Sequence, residues 1–478
     1  MTTINPDGPP TGERQAPLMP SNDTIFSWVE DLTAFVGRGT QTIDDRRSAD
    51  YLCRKFQDFG LTEVQVQEAE SFNWHATRSE LTIGTTPVPH SPVVFSFDTN
   101  GGNGPFSTGA DGLTAPVVEV GDGEESDFAR VDAAGAIVLF NLRFTLPRSV
   151  LLAAGDFLHD PNGSVDPADL DTPNPYLSNY AEVVERVTAA GAVGFIGVLA
   201  DYFDSHDIRP EYTADVTVPG FWVTRRVGTR VRDLLTSGAR TATVRLEGER
   251  VPTPARTVIG YLPGLSDETI MVQSHHDSAW DGGVEDASGT AEVLALAAWF
   301  SRIPRAERPR TLMFVLMDSH WTGYQAHDKF VETFVTDPAA PRRIVANVTL
   351  EHIAKQAEIG TDGQLQVYER PEYRGIFENV SPALKTVIED AVTTHGLERT
   401  VRLPLDKLAP LLGELPTDAD PVYEAGVPVI SLISGPLYLY DRADTLDKVY
   451  KDDLGPVAEA FADIIGHLAT TPADEIRA

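Results

Sequence analysis

The chain has 478 residues, of which 42% are hydrophobic and 23% charged, and its formal net charge is −33. This composition is that of a globular protein and excludes a largely disordered chain. Such an acidic chain repels phosphate backbones and anionic membranes, so binding to nucleic acid or to a membrane is not expected. Cys53 is the one cysteine in the sequence, so any metal site must be built from His, Asp and Glu.

The first 22 residues are rich in proline and polar residues and lack the apolar run of a secretory signal. No stretch of about 18 apolar residues follows, so no membrane-spanning helix is expected. We therefore predict a flexible tail over residues 1–22 and a cytoplasmic protein. The length of the chain favours two or three domains.

Two amphipathic helices are predicted next, over Ser27–Phe35 and Asp44–Phe59, and Gly60 is a typical helix end. Alternation of apolar and polar residues over Thr62–Ala69 predicts a strand. The glycines and the proline within residues 101–105 then indicate a linker.

Short apolar runs typical of β-strands dominate the segment between residues 96 and 251. These runs are Ala115–Val120, Ala136–Phe140, Val193–Val198, Val218–Val223 and Thr241–Leu246. One helix is predicted among them, over Tyr180–Ala190. We predict that residues 96–251 form a mostly-β domain inserted into a larger domain of residues 23–95 and 252–478.

Strands and helices alternate from Thr257 onwards, which indicates an α/β fold. The predicted elements are strands at Thr269–Gln273, Thr311–Met317, Ile344–Leu350 and Val427–Ile433, and helices at Ser288–Ser301, 382–395 and Leu454–Leu468. The nearly all-apolar strand at Thr311–Met317 is typical of a sheet covered on both faces. The predicted fold is a mixed, mostly parallel sheet with helices on both faces.

Polar residues follow the predicted strands, and ligands of open α/β sheets bind beyond the carboxyl ends of the strands. Three strand ends each bring a histidine with a carboxylate close by, and the other candidates are acidic residues or tyrosine. These residues are His275 with Asp277, Asp318 with His320, Glu351 with His352, the loop pair Glu285 and Asp286, and finally Tyr440 and Asp444.

Imidazoles and carboxylates are good zinc ligands, so the pattern predicts a metal site or an acid–base site. The spacing of His275 and Asp277 suits a ligand histidine whose second ring nitrogen is held by a carboxylate. In regular strands the neighbouring His276 and His352 would point away from such a site.

Several of these motifs resemble those of the co-catalytic zinc aminopeptidase family, which includes leucyl aminopeptidases, glutamate carboxypeptidase-like enzymes and glutaminyl cyclases. The matching motifs are His275-His276-Asp277-Ser278, Asp286-Ala287-Ser288-Gly289, Arg310 to Asp318, Asp418 to Ile430 and Asp444-Thr445. The phrases at residues 131–138 and 190–194 resemble a protease-associated domain. The resemblance implies a zinc-exopeptidase-like fold with two zinc ions and a glutamate as general base.

Carried over residue by residue, the resemblance implies an altered set of metal ligands. His275 falls on the histidine of the first zinc, Glu285 on the bridging aspartate, and Glu351 on the remaining aspartate of the first zinc. Asp286 is an alternative to Glu285 if the loop shifts by one residue. His320 falls on the general-base glutamate, so it is either a fourth ligand or still a general base.

The ligands of the second zinc are replaced. Trp321 falls on its glutamate and Tyr440 on its histidine, and neither is a good ligand. The resemblance therefore implies one zinc ion instead of two, with Asp277 orienting His275. The Tyr440 hydroxyl remains a candidate donor to a developing oxyanion.

These observations predict a metal-dependent hydrolase acting on an amide or related bond of a small intracellular molecule or a short peptide-like substrate. Lys407 and Arg442 are candidates for recognising a substrate carboxylate. The alternatives are a non-catalytic binding or scaffold protein, a lyase or cyclase on the same metal, and a two-zinc aminopeptidase with unusual ligands. The sequence leaves open whether the protein forms a homodimer.

Overall fold

The computed structural model describes residues 18–39, 42–93, 103–166, 173–205, 207–209, 216–412 and 415–477. The predicted tail lies outside these ranges except for residues 18–22, which lead into the first helix. Gly101 and Gly102 of the predicted linker also lie outside the described residues, whereas Gly104–Ser107 is a strand.

The α-helices of the described ranges include counterparts of the six helices predicted from the sequence. They are α1 Asn22–Thr33, α2 Ile43–Asp58, α3 Glu125–Phe128, α4 Arg148–Ala154, α5 Tyr180–Ala189, α6 Arg225–Thr236, α7 Gly289–Phe300, α8 Gln325–Phe330, α9 Pro382–Thr394, α10 Leu405–Leu412, α11 Asp420–Glu424 and α12 Leu454–Thr470.

The strands of the described ranges include counterparts of the ten predicted strands and ten further strands that were not predicted. They are β1 Thr62–Ile83, β2 Thr86–Pro87, β3 Ser91–Pro92, β4 Gly104–Ser107, β5 Leu113–Glu119, β6 Ile137–Leu142, β7 Phe144–Pro147, β8 Phe157–His159, β9 Pro173–Ser178, β10 Gly194–Leu199, β11 Gly220–Thr224, β12 Thr241–Leu262, β13 Ser266–His275, β14 Arg310–Met317, β15 Arg343–Leu350, β16 Lys355–Ile359, β17 Leu365–Pro371, β18 Arg374–Glu378, β19 Thr400–Pro404 and β20 Val429–Ser434.

The centre of the sheet is parallel, as the sequence predicts. Strands β14, β13, β15 and β20 are neighbours in that order and all run in the same direction. The antiparallel strands β12 and β18 flank this group on its two sides. The carboxyl ends of the four parallel strands therefore meet at one edge, where the candidate site residues follow them.

Both faces of the central sheet are covered, because alternate side chains of each strand enter different cores. Leu312, Phe314 and Leu316 of β14 belong to the cluster that includes α1, α7 and α12. Met313 and Val315 of the same strand belong to a second cluster on the opposite face. The predicted fold class, a mixed and mostly parallel sheet with helices on both faces, is confirmed.

The segment predicted as a mostly-β insertion contains its own parallel strands. β5, β6, β10 and β11 are hydrogen-bonded neighbours in that order and run parallel, and α6 packs on β10 and β11. Parallel neighbours need long crossover connections, and α5 lies in the connection between β6 and β10. The division into two domains at residues 96 and 251 remains a prediction.

Two long strands connect this segment to the central sheet. β1 and β12 have 22 residues each and pair antiparallel along nearly their whole length. The first part of β12 also pairs with β5, and its last part pairs with β14. The structure shows no helix, within the described ranges, that is long and apolar enough to cross a membrane.

Candidate metal centre

His275 is the last residue of β13, and its side chain is completely buried. Its Nδ1 donates a hydrogen bond to the carbonyl oxygen of Asp277 at 2.9 Å. The lone pair of the neutral imidazole is therefore on Nε2. The Asp277 carboxylate lies 3.4 Å from Nδ1 and also accepts the backbone N–H groups of His320 and Trp321. Asp277 thus holds the His275 ring through its carbonyl oxygen and the backbone of His320 and Trp321 through its carboxylate.

The loop that carries Glu285 is fixed from two sides. The buried guanidinium of Arg38 donates to the carbonyl oxygens of His276, Asp281 and Gly282 at 2.8–3.0 Å. On the other side the Asp444 carboxylate accepts the backbone N–H of Glu285 at 2.8 Å. Burial raises the pKa of Asp444 to about 7, and these N–H donors act against that rise.

His320 follows β14 after a turn in which Ser319 has a φ of +69°. Its ring is stacked on His275, with ring centroids 4.1 Å apart and planes 7° apart. Its Nδ1 lies 3.1 Å from Asp418 Oδ1, and its Nε2 lies 3.4 Å from Glu285 Oε1. Asp418 therefore orients His320 so that Nε2 faces Glu285.

His352 also faces Glu285, contrary to the expectation that a regular strand would turn it away. Its φ is +59°, so the chain leaves the extended conformation directly after β15. Its Nδ1 donates to the carbonyl oxygen of Ser434 at 2.9 Å, and its Nε2 lies 2.5 Å from Glu285 Oε2. The left-handed turn is the feature that a strand pattern does not reveal.

Three imidazoles thus share one arrangement, in which Nδ1 is held by an oxygen and Nε2 is directed to Glu285. The Nε2 atoms of His275 and His320 lie 3.0 and 3.4 Å from Glu285 Oε1. Ligand atoms about 2.1 Å from a tetrahedral zinc ion are themselves about 3.4 Å apart. Ligand atoms within 4.8 Å of one another are found in the sets His275–Glu285–His352 and His275–His320–Asp418.

The buried polar atoms of this cluster fit a cation. Nε2 of His275, Nε2 of His352 and both carboxylate oxygens of Glu285 are buried, and the contacts between them, at 2.5–3.0 Å, do not have the geometry of hydrogen bonds. Buried polar atoms are rarely left in this state unless a water or an ion satisfies them. Imidazole nitrogens that are oriented through Nδ1 are typical of zinc ligands. The residues present therefore fit a zinc ion.

The electrostatics of the cluster favour positive charge. Burial alone would lower the pKa of His275, but the charge of Asp418 and the nearby carboxylates of Asp277 and Glu285 raise it well above its usual value. Burial is outweighed in the same way for His352, whose pKa the Glu285 charge raises to about 9. Burial raises the pKa of Glu285, but His352 and His275 hold it well below its usual range. The negative potential that retains these protons also attracts a divalent cation.

The two other carboxylates considered from the sequence are placed differently. Glu351 Oε1 accepts hydrogen bonds from Thr417 Oγ1 at 2.8 Å and from the Asp418 N–H at 3.3 Å, and Glu351 belongs to neither ligand set. Burial and the Asp418 charge raise its pKa well above the usual range. Asp286 accepts from Ser274 Oγ and from the Gly289 N–H at the start of α7. Its role is to fix the loop.

Trp321 and Tyr440 lie beside the cluster and pack edge to face, with ring centroids 5.5 Å apart and planes 83° apart. Both are buried, with exposed fractions of 3% and 4%. They place an indole and a phenol, which are poor metal ligands, beside the cluster.

Sequence reasoning missed two members of the site, His352 and Asp418. His352 was excluded by the assumption of a regular strand. Asp418 lies two residues before α11 and follows no strand, so its position in the fold gave no signal. Its position at the start of the Asp418–Ile430 motif was the one feature of the sequence that could have indicated a role in the site.

A cavity of about 660 Å³ opens beside the cluster and is lined by His320, Glu351, His352, Asp418 and Tyr440. Further carboxylates line the same cavity, namely Asp328, Glu332, Asp420 and Glu424. No lysine or arginine is found among its lining residues in the described part of the chain. The site is therefore accessible from a cavity of strongly negative character.

Comparison with known proteins shows that one segment of the chain is similar to a known family. Residues 257–465 match the model of peptidase family M28. The matched segment contains every member of the metal cluster. The resemblance to zinc aminopeptidases seen in the motifs is thereby confirmed for this segment. The M28 match supports a metal-dependent hydrolase. No curated protein matches the chain in sequence.

Solved structures with the same fold include known peptidases. A peptidase M28 precursor from Shewanella amazonensis is 19% identical, with a TM-score of 0.67 over 95% of this chain and 94% of that chain. The zinc aminopeptidase BSAP from Bacillus subtilis is 17% identical, with a TM-score of 0.65 over 97% and 99%. An aminopeptidase from Aneurinibacillus sp. strain AM-1 is 18% identical, with a TM-score of 0.60 over 96% and 94%. At these identities the likeness concerns the fold.

Proposed function

We propose that the protein is a hydrolase of amide or related bonds that uses one zinc ion, held by His275, Glu285, His320 and His352. The observation that carries this proposal is the convergence of three Nε2 atoms on one carboxylate, with every Nδ1 held by an oxygen acceptor. A bound zinc ion supplies Lewis acidity towards a carbonyl group.

One ion is favoured over two because both ligand sets of this cluster contain His275. In the third set of the described residues, Asp45–His276–Asp318, both ring nitrogens of His276 already have hydrogen-bond partners. The Nδ1 of His275 is committed to the Asp277 carbonyl, so only Nε2 is available, and one nitrogen lone pair binds one ion. Trp321 and Tyr440 add no further ligand beside the cluster. The second set supplies Asp418 as the carboxylate that orients His320.

The roles of the other residues follow from their contacts. Asp277 is a positioning residue, because it accepts from His275 through its carbonyl and from the His320 backbone through its carboxylate. Tyr440 lines the cavity beside the cluster, and we assign its hydroxyl as the donor to the substrate carbonyl oxygen as charge develops there. Glu351 lines the same cavity within reach of a bound substrate.

The acidic cavity favours a small substrate with a positively charged group, such as an amine. Its rim carboxylates raise the local concentration of cationic molecules. A volume of about 660 Å³ accommodates a small molecule or a short peptide end. The substrate is therefore proposed to be a small or short peptide-like amine with a hydrolysable bond.

Elemental analysis of protein purified without added metal tests the proposal. We expect about one zinc equivalent per chain, lost or strongly reduced in His275→Ala, His320→Ala and His352→Ala. An exposed histidine, His467, provides a matched control, and His467→Ala should keep the metal. Full metal content in His320→Ala with loss of activity would make His320 a general base.

Other outcomes would contradict the proposal directly. Two equivalents per chain would mean that a second site exists beside the cluster described here. No metal after supplementation, together with an unchanged His275→Ala variant, would point to a binding protein without hydrolase activity.

A further inference from the structure

A second large cavity has Trp321 in its wall, and the ring of Trp321 packs beside His320 of the metal cluster. Its volume is about 710 Å³, and Trp321, Trp280, Arg46, Arg209 and Arg442 are among the residues that line it. Tyr440 lines only the first cavity, and Trp321 packs against it. The two cavities are thus adjacent but have different walls.

The charge of this cavity is opposite to that of the chain as a whole. Three arginines and one carboxylate, Asp281, are among its described lining residues, although the chain has a net charge of −33. Arg442 also pairs with Asp207 at 3.3 Å and is 61% exposed. The cavity next to the metal cluster has the reverse composition, with carboxylates and no basic side chain in the described part. A local excess of guanidinium groups attracts anions.

Two of the tryptophans that line this cavity have hydrogen-bond donors without partners. The indole Nε1 atoms of Trp280 and Trp321 are buried and make no hydrogen bond. Trp321 is 3% exposed, so little water reaches it. A tryptophan Nε1 is a donor only, so each of these atoms needs an acceptor.

The arginines are arranged around an aromatic surface. The guanidinium carbons of Arg442 and Arg209 lie 4.0 and 5.3 Å from the centre of the Trp280 ring. Burial and the charge of Arg442 together lower the pKa of Arg209 to about 10, so it stays charged at neutral pH. An anion placed between the two guanidinium groups would reduce their repulsion. Phe72 and Trp74 extend the aromatic wall.

We propose that this second cavity is a binding site for a small aromatic carboxylate, whose ring packs on the aromatic wall and whose carboxylate is bound by Arg442 and Arg209. The site does not depend on the metal, so it stands independently of the proposed function. Guanidinium groups bind carboxylates through paired hydrogen bonds, and flat aromatic walls favour a flat ligand. Arg442, which the sequence offered as a carboxylate-recognition residue, is one of its donors, whereas Lys407 pairs with Asp156 and does not line either cavity.

Isothermal titration of the full chain with 2-naphthoate tests this proposal. We expect saturable binding of one molecule per chain and binding of neutral 2-naphthamide that is at least about tenfold weaker, because a hydrogen bond to a charged group contributes that much or more. The titration is carried out on the protein as purified and again after its metal has been removed with a chelator. This comparison is needed because carboxylates also bind zinc. Equal affinity with and without metal places the ligand away from the metal cluster.

Two variants locate the site. Arg442→Gln should weaken naphthoate binding at least about tenfold, and Trp280→Leu should weaken both naphthoate and naphthamide. Arg47 neighbours Arg46 but is 63% exposed and pairs with Asp44, so Arg47→Gln should bind as the unmodified chain does. Absence of saturation up to about 10 mM, equal binding of the amide, loss of binding on chelation or an unaffected Arg442→Gln would each overturn the proposal.

Discussion

Replacing Asp418 by asparagine isolates the effect of one buried charge on the metal centre. The Asp418 carboxylate is 1% exposed, and its Oδ1 lies 3.1 Å from His320 Nδ1. Asparagine has nearly the same shape and retains an oxygen that accepts from Nδ1. The variant therefore keeps the orientation of His320 and removes the negative charge behind it.

The structure gives the expected magnitude. A carboxylate that orients a ligating histidine contributes about tenfold to a hundredfold in metal affinity. The carboxylate oxygen of Asp418 lies within 4.8 Å of the ligand atoms of His275 and His320. The Asp418 charge and a unit positive charge at about that distance interact by about 3.5 kcal/mol at an effective dielectric constant of about 20. This energy exceeds the roughly 2.7 kcal/mol that corresponds to a hundredfold change in affinity. We therefore expect zinc affinity to fall by about a hundredfold.

Competition with a chromophoric zinc chelator measures this change. Glu424 lines the same cavity but is exposed, so Glu424→Gln removes the same charge and should change the affinity by less than about twofold. Equal effects of the two variants would refute the argument that Asp418 acts through His320. A loss above about a thousandfold would instead make Asp418 a direct ligand, because a missing ligand affects binding more than a missing orienting group.

Three further variants test how the site is held in the fold. Burial lowers the pKa of His276 to about 4, so below about pH 6.5 the unfolded chain binds a proton that the native protein does not bind until about pH 4. The free energy of unfolding should therefore fall by about 2 kcal/mol from pH 7 to pH 5. Urea unfolding should show a smaller loss in His276→Gln. Gly289→Ala should destabilise the protein by about 1–3 kcal/mol and reduce its zinc content, because the added Cβ would lie 2.2 Å from the Leu350 carbonyl oxygen. The control Gly466→Ala meets no atom within 4 Å and should be neutral or slightly stabilising. Equal melting temperatures of the two variants would contradict this. Arg38→Met leaves several buried carbonyl oxygens without their donor and should cost about 3 kcal/mol or more in urea unfolding, with a loss below about 1 kcal/mol arguing against its role.

The sequence predicts the central sheet well because each of its strands is buried on both faces. β14 is apolar almost throughout, and such a run has few other stable placements. The strand ends then follow from the parallel order, so His275, Glu285 and His320 were expected near one another. Physical burial, more than local propensity, made this part of the fold predictable.

The remaining members of the site depend on backbone turns that the sequence does not show. His352 enters the cluster only because its φ is +59°, and this conformation is uncommon for a residue with a side chain. Asp418 reaches His320 from a separate loop, and its position depends on the packing of the whole sheet edge. A pattern of alternating residues contains neither kind of information.

The segment predicted as an insertion, residues 96–251, shows another limit of sequence reasoning. Its short apolar runs were interpreted as mostly β, yet β5, β6, β10 and β11 are parallel strands accompanied by helices. Strand direction is set by long-range pairing, which short apolar runs do not encode.

The pairing of β1 with β12 has a consequence for how the chain is synthesised. Ile83 at the end of β1 pairs with Ala242 at the start of β12, 159 positions later. At about 5–20 residues per second, a ribosome needs roughly 10–30 s to produce the residues between them. Throughout that interval the 22 residues of β1 have left the ribosome without their main partner, and an unpaired strand of this length is a hazard for aggregation. Slower translation of residues 84–241 should therefore reduce the yield of folded protein and increase its dependence on chaperones.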